Sequence, residues 1–162
     1  MDDGSDTGTV RRAGPDDAAE LTRLRAIMFA DMGRDPALLT EDWQRRNVAH
    51  FGHRLAETDL FAAYVVDQPG GDGLAACAVG WLNEHLIGTN NPVGRSGYVA
   101  NICTDPAYRR RGYSRASLTA LVDWLRSTGI RVVETTVVGR LIIRPFTGST
   151  SVLGPSSSAI CR

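Results

Sequence analysis

Residues 97–124 read GYVANICTDPAYRRRGYSRASLTALVDW, in which a strand-like run leads through a basic turn into a helix-like run. Gly97–Thr104 has the β-branched and aromatic content of a strand, and the residues after the turn place apolar side chains at helical spacing. The turn holds three consecutive arginines, Arg109 to Arg111, followed by Gly112. A helix N-terminus presents unpaired N–H donors and a partial positive charge, so this junction is a candidate anion site.

The basic turn has two interpretations, a solvated surface turn and an anion-binding site. An isolated basic triplet is usually a solvated turn, but the position of this one favours the anion site. Gly112 allows a ligand to approach the backbone closely, and Ser114 is small. Arg109, Arg110 and Arg111 would add charge-assisted bonds worth about 1.5–3 kcal/mol each. The chain contains neither G-x-x-x-x-G-K-[ST] nor G-x-G-x-x-G, which argues against a P-loop or a dinucleotide-binding loop.

The rest of the chain alternates strand-like and helix-like segments. In order, the sequence predicts a strand at Gly8–Ala13, a helix ended by Gly33, a helical segment at Pro36–Glu57 capped at Thr40, strands at Phe61–Asp67 and Leu74–Leu82, a loop over 83–96, the strand and helix around the basic turn with a helix end at Gly129, and a strand over 131–138. This order predicts an α/β (α+β) fold with a mixed, partly antiparallel central sheet and flanking helices.

Composition places the chain among single-domain globular proteins. Its 162 residues are 43% hydrophobic and 22% charged, and no apolar run is long enough for a membrane helix. Net charge is zero and all 18 basic residues are arginine, so no global field draws the chain to nucleic acid or to a membrane. The polar, acidic N-terminus is unlike a signal peptide, and we expect a cytoplasmic protein. The cysteines Cys77, Cys103 and Cys161 are expected to be reduced thiols without a zinc site.

The quoted segment resembles the acetyl-CoA segment of the GNAT superfamily of N-acetyltransferases. In that family a strand ends in a V-x-P step, and the pattern R/Q-x-x-G-x-G/A begins a helix. Here Thr104-Asp105-Pro106 occupies the positions of the V-x-P step. Arg109-x-x-Gly112-x-Ser114 occupies the positions of the second pattern, with Ser114 in place of Gly or Ala. The resemblance extends over residues 8–138. It divides the chain into a disordered N-terminus at 1–8, an acetyl-CoA-binding domain at 9–138 and an atypical Gly- and Ser-rich tail at 139–162.

The resemblance implies direct transfer of an acetyl group from acetyl-CoA, as co-substrate, to an amine acceptor in a ternary complex. The acceptor would be a small molecule or a peptide; no metal, nucleic acid or membrane is expected, and a homodimer is an open expectation. The main chain of Ile102 and Thr104 would pair with the pantetheine arm as an added strand does, and an N–H near Ile102 would polarise the thioester carbonyl. The implied cofactor-binding residues are Ile102, Cys103, Thr104, Arg109, Arg110, Arg111, Gly112, Tyr113 and Ser114.

The catalytic residues are less clearly marked. Many members of the family carry a glutamate base on the strand before the basic turn, where this chain has Asn101. An amide cannot take a proton at neutral pH, although it can orient an amine or a water. The candidate catalytic residues are Asn101 and Glu84, with His85 a further candidate base; an exposed loop position is the alternative for Glu84 and His85. The acceptor pocket is expected between Phe29–Asp35, the loop at Trp81–Asn91 and Asn101.

The C-terminal tail departs from the family. Residues 139–162 contain no acidic residue, and no tyrosine follows Tyr113, whereas the family uses a later tyrosine to protonate the leaving thiolate. Three explanations stay open: an unusual C-terminal subdomain, a shifted reading frame, which the acid-free composition favours, and a loss of the thiolate acid. A tail as written would weaken turnover and leave cofactor binding. The alternative function is therefore a catalytically impaired acyl-CoA-binding regulatory or interaction module.

Overall fold

The structure, a computed structural model, describes residues 8–130 and 133–135. Its strands and helices are β1 Val10–Arg12, α1 Ala18–Asp31, α2 Glu41–Ala56, β2 Phe61–Asp67, β3 Leu74–Glu84, β4 Arg95–Thr104, α3 Tyr113–Ser127 and β5 Val133–Thr135. Single turns of 3₁₀-helix precede α1, α2 and α3, at Pro15–Asp17, Pro36–Leu38 and Pro106–Tyr108. The tail at 139–162, and the predicted N-terminal segment apart from Gly8, lie outside the described residues.

The strands form one mixed sheet in the order β1-β2-β3-β4-β5. Neighbouring strands are antiparallel from β1 to β4, and β5 lies parallel to β4. A parallel neighbour requires a long crossover connection, and α3 lies within the one between β4 and β5. The predicted fold, a mixed and partly antiparallel sheet with flanking helices, is confirmed.

Helices cover both faces of the sheet, and their apolar stripes form two cores. On one face, which we call the α1 face, Leu21 and Leu24 of α1 belong to a buried cluster with Val79 of β3 and residues of α2. On the other, the α3 face, Leu121 of α3 is buried in a cluster with Val99 of β4. Each such side chain contributes about 1.5–3 kcal/mol on burial. β4 therefore lies between two packed layers.

The hairpin between β3 and β4 is longer than the sequence predicts. The expected loop over 83–96 is wrong at both ends, because Asn83 pairs with Ser96 and Glu84 pairs with Arg95. Glu84 and Arg95 also form an exposed ion pair at 3.5 Å. Strand ends that face solvent carry polar side chains, which a sequence pattern cannot separate from a loop.

The helix ends follow the predicted signals with one difference. The side chain of Thr40 accepts a hydrogen bond from the Trp43 N–H at 3.1 Å, which confirms the predicted cap. The predicted helical segment Pro36–Glu57 is divided in two: Pro36–Leu38 forms a separate 3₁₀ turn, and α2 begins at Glu41, after the cap. Gly33 and Gly129 have φ of +71° and +79° just beyond α1 and α3, as expected of helix ends. None of the helices described here has the length and apolar content needed to cross a membrane.

Candidate active site

Among the described strands, β4 is paired along both edges only in its first half. Residues 97–99 pair with β3 on one side and with β5 on the other, and no pairing with β5 extends beyond them in the described part of the chain. We call the edge of β4 after residue 99 the open edge. The Asp105 N–H donates to the Ala75 carbonyl oxygen at 2.8 Å, so Asp105 faces β3. Because neighbouring residues of a strand alternate, the main chain of Ile102 and Thr104 faces the open edge.

A β-bulge at Asn101 lies at the start of the open edge. The register between β3 and β4 shifts between Cys77 and Val79, where β4 holds an extra residue. Asn101 has a φ of +48°, in the left-handed region that few non-glycine residues adopt and that Asn tolerates better than most. A bulge changes the direction of the backbone groups that follow it, so it bears directly on the N–H groups near Ile102.

The side chain of Asn101 is buried on the α1 face and held by two neighbours. Arg25 of α1 donates from Nη1 to Asn101 Oδ1 at 3.0 Å. The Cys77 thiol donates to the Asn101 carbonyl oxygen at 3.3 Å and accepts from Asn101 Nδ2 at 3.6 Å. Burial raises the pKa of the Cys77 thiol to about 12, so the thiol keeps the proton that it donates. The bulge is thus fixed by contacts from both α1 and β3.

The basic turn presents backbone N–H groups at the start of α3. The Ala116 N–H donates to the Gly112 carbonyl oxygen at 3.0 Å, and across the residues described here no N–H from Arg110 to Arg115 donates to a protein acceptor. Gly112 has a φ of +81°, and no atom lies within 4 Å of the position that a Cβ would take. We call the N–H groups of Arg110–Arg115 the N–H cradle. With the positive end of the α3 dipole, the cradle fits the diphosphate of a coenzyme.

Arg23 of α1 fixes the chain just before the basic turn. Its guanidinium donates to Asp105 Oδ2 at 2.6 Å and to the Leu74 carbonyl oxygen at 2.8 Å, and it pairs with Glu20 at 3.0 Å. Burial opposes ionisation of Asp105, but the Ala107 N–H and Arg23 outweigh it and hold the pKa of Asp105 below its ordinary value. The charged carboxylate of Asp105 therefore links the segment just before the basic turn to Arg23 of α1.

The three arginines of the turn have different surroundings. Arg109 donates to Asp31 of α1 at 2.6 Å. The Arg111 guanidinium carbon lies 5.3 Å from the ring centre of Tyr108. Arg110 has a φ of +64°, and its exposed side chain has no ion pair within the described ranges. Binding of a ligand by all three side chains stays a prediction, and Arg110 is the one without a competing partner.

The structure does not bring the two candidate catalytic residues together. Glu84 lies at the far end of the hairpin, five residues beyond Val79, which is next to the bulge. At 3.3–3.4 Å per residue, Glu84 is about 17 Å along the sheet from the level of Asn101. His85 lies beyond Glu84, with Nε2 at 2.7 Å from Ser96 Oγ. The catalytic roles of Asn101 and Glu84 stay predictions for two separate places.

The other predicted site residues lie along the open edge or at the cradle. Ile102 packs on the α3 face and Cys103 on the α1 face. Burial raises the pKa of the Cys103 thiol to about 11, which disfavours a nucleophilic role. The Tyr113 side chain is buried and its hydroxyl lacks a hydrogen-bond partner among the described residues, so Tyr113 offers the cradle its main chain. Within 8–130 and 133–135, no group of three His, Cys, Asp or Glu side chains could hold a metal ion.

Two aromatic residues of the expected acceptor pocket, Phe29 and Trp81, lie on the α1 side of the sheet, and the pocket itself stays a prediction. Trp81 belongs to β3 rather than to a loop, and its ring stacks on Tyr98 with centres 4.6 Å apart. Phe29 of α1 contacts Trp43 of α2 with ring centres 5.9 Å apart. Trp81 packs against the buried cluster of the α1 face, whereas Phe29 contacts Arg25 and Trp43.

Arg25 is a site residue that the sequence analysis missed. Besides its bond to Asn101, its guanidinium carbon lies 4.7 Å from the ring centre of Phe29. The available signal was weak: Arg25 follows the buried Leu24 and precedes Phe29 by four residues, which puts Arg25 and Phe29 on the same side of α1. Nothing in the sequence indicates that this side of α1 meets Asn101.

The family model for the acetyltransferase (GNAT) family matches residues 23–140, more than half of the chain. The chain belongs to this family. Its match covers α1 from Arg23 onward, the bulge at Asn101 and the N–H cradle, so the GNAT membership predicted from the basic turn is confirmed. No curated protein matches the chain.

Solved GNAT structures share the fold of this chain. A GCN5-related N-acetyltransferase from Ralstonia eutropha JMP134 has a TM-score of 0.69 and 25% identity, over 80% of this chain and 82% of that one. A predicted acetyltransferase with acetyl-CoA from Clostridium acetobutylicum has a TM-score of 0.69 and 22% identity, over 80% of each chain. Glucosamine-6-phosphate N-acetyltransferase from Arabidopsis thaliana has a TM-score of 0.63 and 15% identity, over 81% and 82%. The two more distant structures show the fold alone.

Proposed function

We propose that this GNAT-family chain transfers the acetyl group of acetyl-CoA directly to the nitrogen of an amine acceptor, a small molecule or a peptide. The observation that carries the proposal is the N–H cradle at the start of α3, beside the open edge of β4. Family membership supports acetyl-CoA as the co-substrate. One structural neighbour was solved with acetyl-CoA.

The residues of the site fit the parts of acetyl-CoA. The N–H groups of Arg110–Ser114 would bind the diphosphate, and the exposed Arg110 side chain would add charge. The main chain of Ile102 and Thr104 would hydrogen-bond the pantetheine arm at the open edge, where β4 lacks a described strand partner. Beside the bulge, the N–H near Ile102 would donate to the thioester carbonyl oxygen.

The bound acetyl-CoA supplies a thioester carbon that a neutral amine attacks; the C–N bond forms, the C–S bond breaks with CoA leaving as the thiolate, and the amine proton passes to a base or a water chain. Asn101 cannot take the amine proton, but its side chain, held by Arg25 and Cys77, can orient an amine or a water. Glu84 is the second candidate, and it can act only on an acceptor that reaches the far end of the hairpin. A fall in kcat for Glu84→Gln would support a base there, and an unchanged kcat would remove Glu84 from the mechanism.

Ser114 offers a test of the cradle that does not depend on damage to the fold. A carboxylate in the first turn of α3 favours the helix but repels a diphosphate. We expect Ser114→Glu to keep or raise the Tm and to weaken acetyl-CoA binding at least about tenfold in calorimetry. The neutral control Ser114→Gln should bind within about threefold of the wild type. Unchanged affinity in Ser114→Glu would refute the cradle as the diphosphate site.

Turnover is tested by release of CoA across a panel of amines. CoA release together with acetyl-CoA binding supports the transferase. Binding without release from any amine would instead support the impaired acyl-CoA-binding module, which family membership does not favour. The homodimer and the cytoplasmic location stay predictions, which light scattering after gel filtration and cell fractionation can check.

A further inference from the structure

We propose that Arg25 binds an acidic group of the amine acceptor, a carboxylate or a phosphate, and so selects small amines that carry such a group. This inference rests on the proposed acetyl transfer and concerns the acceptor side of the same site. It starts from the surroundings of a single cation on the α1 face, next to the bulge at Asn101.

Arg25 is half-buried without a carboxylate to balance its charge. In the described part of the chain its side-chain hydrogen bond goes to the neutral amide of Asn101, and it joins no ion pair. Arg23, two residues earlier on the same helix, has both Glu20 and Asp105. Burial lowers the pKa of Arg25 from its ordinary value, which reflects this uncompensated desolvation. A bound anion would supply the missing partner.

The guanidinium also has donors to spare. An arginine side chain carries five N–H donors, and one of those of Arg25 is used by Asn101. No nitrogen of Arg25 is among the fully buried, unpartnered atoms of the described residues, so the remaining donors reach solvent. A planar fork of free donors matches the two oxygens of a carboxylate or a phosphate.

Two contacts hold the fork in one orientation before any ligand arrives. The Phe29 ring lies 4.7 Å from the guanidinium carbon, and Asn101 Oδ1 lies 3.0 Å from Nη1. A cation stacked on a ring and fixed by a hydrogen bond loses little further freedom on binding, which favours affinity.

The position of Arg25 assigns the anion to the acceptor rather than to acetyl-CoA. The cradle that would bind the diphosphate lies at the start of α3, and the α3 helix packs on the opposite face from α1. Arg25 touches the bulge from the α1 face, beside the backbone that would hold the thioester. A compact amine that approaches the bulge from this face would place its acidic group on Arg25 and its nitrogen near Asn101.

The experiment compares kcat/KM, measured from CoA release, for pairs of amines that differ in their acidic groups. The carboxylate pairs are glycine and glycinamide, β-alanine and β-alaninamide, and L-glutamate and L-glutamate diamide. The phosphate pair is O-phosphoethanolamine and ethanolamine. Spermidine serves as a polycation without an acid. We expect the wild type to prefer at least one acidic member by about tenfold or more, and the carboxylate and phosphate pairs show which oxyanion is favoured.

Arg25→Gln should remove this preference. We expect kcat/KM for the acidic member to fall about 10- to 100-fold further than that of its neutral twin, because loss of the contact with Asn101 affects both members equally and loss of the oxyanion contact affects only the acidic one. Arg25→Lys, which keeps the charge without the fork, should give an intermediate loss. Arg45→Gln, an exposed arginine on α2 paired with Asp42, is the matched control and should behave as the wild type.

The outcomes separate Arg25 as a ligand-binding residue from Arg25 as a mere support for Asn101. A support would lower kcat equally for acidic and neutral amines, and that result would overturn the proposal. Calorimetry of the acidic amines on the protein saturated with CoA gives a second measurement, in which binding to the wild type and not to Arg25→Gln is expected. Failure of acetyl-CoA itself to bind would refute the proposed function. If acetyl-CoA binds but the wild type neither prefers acidic amines in turnover nor binds them in calorimetry, the Arg25 proposal alone is refuted.

Discussion

The two halves of β4 differ in pairing, side chains and backbone. Arg95–Val99 pairs with β3 throughout and with β5 over its last three residues, and Val99 is fully buried against α3. Ala100–Thr104 pairs with β3 alone among the described strands, contains the bulge at Asn101, and accepts a hydrogen bond from Arg25 of α1. One continuous strand is thus a packed core element at its start and a polar, partly unpaired edge at its end.

The difference lies in how the two parts of one strand are supported by their neighbours. Unpaired N–H and C=O groups at a sheet edge are normally a liability, and here Arg23 and Arg25 of α1 bond the side chains of Asp105 and Asn101, near the two ends of the open edge. Apolar packing fixes the first half, whereas in the second half the hydrogen bonds of Asn101 add to the packing of Ile102 and Cys103. Substitutions in the two halves should therefore fail in different ways.

The largest effect is expected at Gly80 of β3, which pairs with Val99 in the first half of β4. A Cβ there would lie 2.8 Å from the Tyr98 carbonyl oxygen and 3.2 Å from both methyl groups of Leu121. The strand backbone at Tyr98 cannot shift without disturbing the sheet. Gly80→Ala should therefore lower the free energy of unfolding by about 1–3 kcal/mol in urea titrations. Gly52→Ala in α2 is the control, since no atom lies within 4 Å of its Cβ position and the helix favours Ala. Equal losses in both variants would contradict the packed-core description.

In the open half, the backbone conformation of Asn101 should matter more than its volume. Asn101→Ala and Asn101→Gly both lose the hydrogen bond from Arg25, but only Ala has to adopt the φ of +48° with a Cβ. We expect Asn101→Gly to be more stable than Asn101→Ala by about 1 kcal/mol in urea titrations. If Ala were equally stable, the bulge would not constrain this residue.

The tie between Arg23 and Asp105 should make stability depend on pH in the acid range. The pKa of Asp105 is held below its ordinary value of 3.8 in the folded state, so its contribution is present above pH 3.8 and is lost as the pH falls through the lower folded pKa. Asp105→Asn should reduce the Tm at pH 7, and the difference from the wild type should shrink towards pH 3. The exposed Asp72→Asn serves as control, and a difference that grows in acid would be the wrong sign.

The smallest effect concerns the chemical reactivity of two thiols, Cys77 of β3 and Cys103 of β4, which are paired across the two strands. Burial raises the pKa of Cys77 to about 12 and that of Cys103 to about 11. At pH 8 the folded protein should resist iodoacetamide at both positions, and the unfolded protein should react at both, as peptide mapping would show. Cys103, 6% exposed against 0% for Cys77, should react first as the pH rises. Fast labelling of folded Cys77 would mean that the bulge opens.

Sequence reasoning was most successful where the signal is local. The cap at Thr40, the helix ends at Gly33 and Gly129, and the junction at Gly112 each depend on one residue and its neighbours along the chain. It failed at Glu84, because a polar strand end and a loop have the same composition. It also assigned Arg109 to a ligand without foreseeing Asp31, which lies 78 positions away.

The sequence alone determined the mixed sheet and the basic junction at the start of α3, because hydrophobic periodicity and a helix N-terminus after a glycine are properties of short segments. Only the tertiary structure decided that Arg25 meets Asn101, 76 positions further along the chain, and that, among the described residues, the pairing of β4 with β5 ends at Val99. Such contacts depend on how α1 packs against the sheet, and that packing is set by the shape of the whole core rather than by any pattern along the chain.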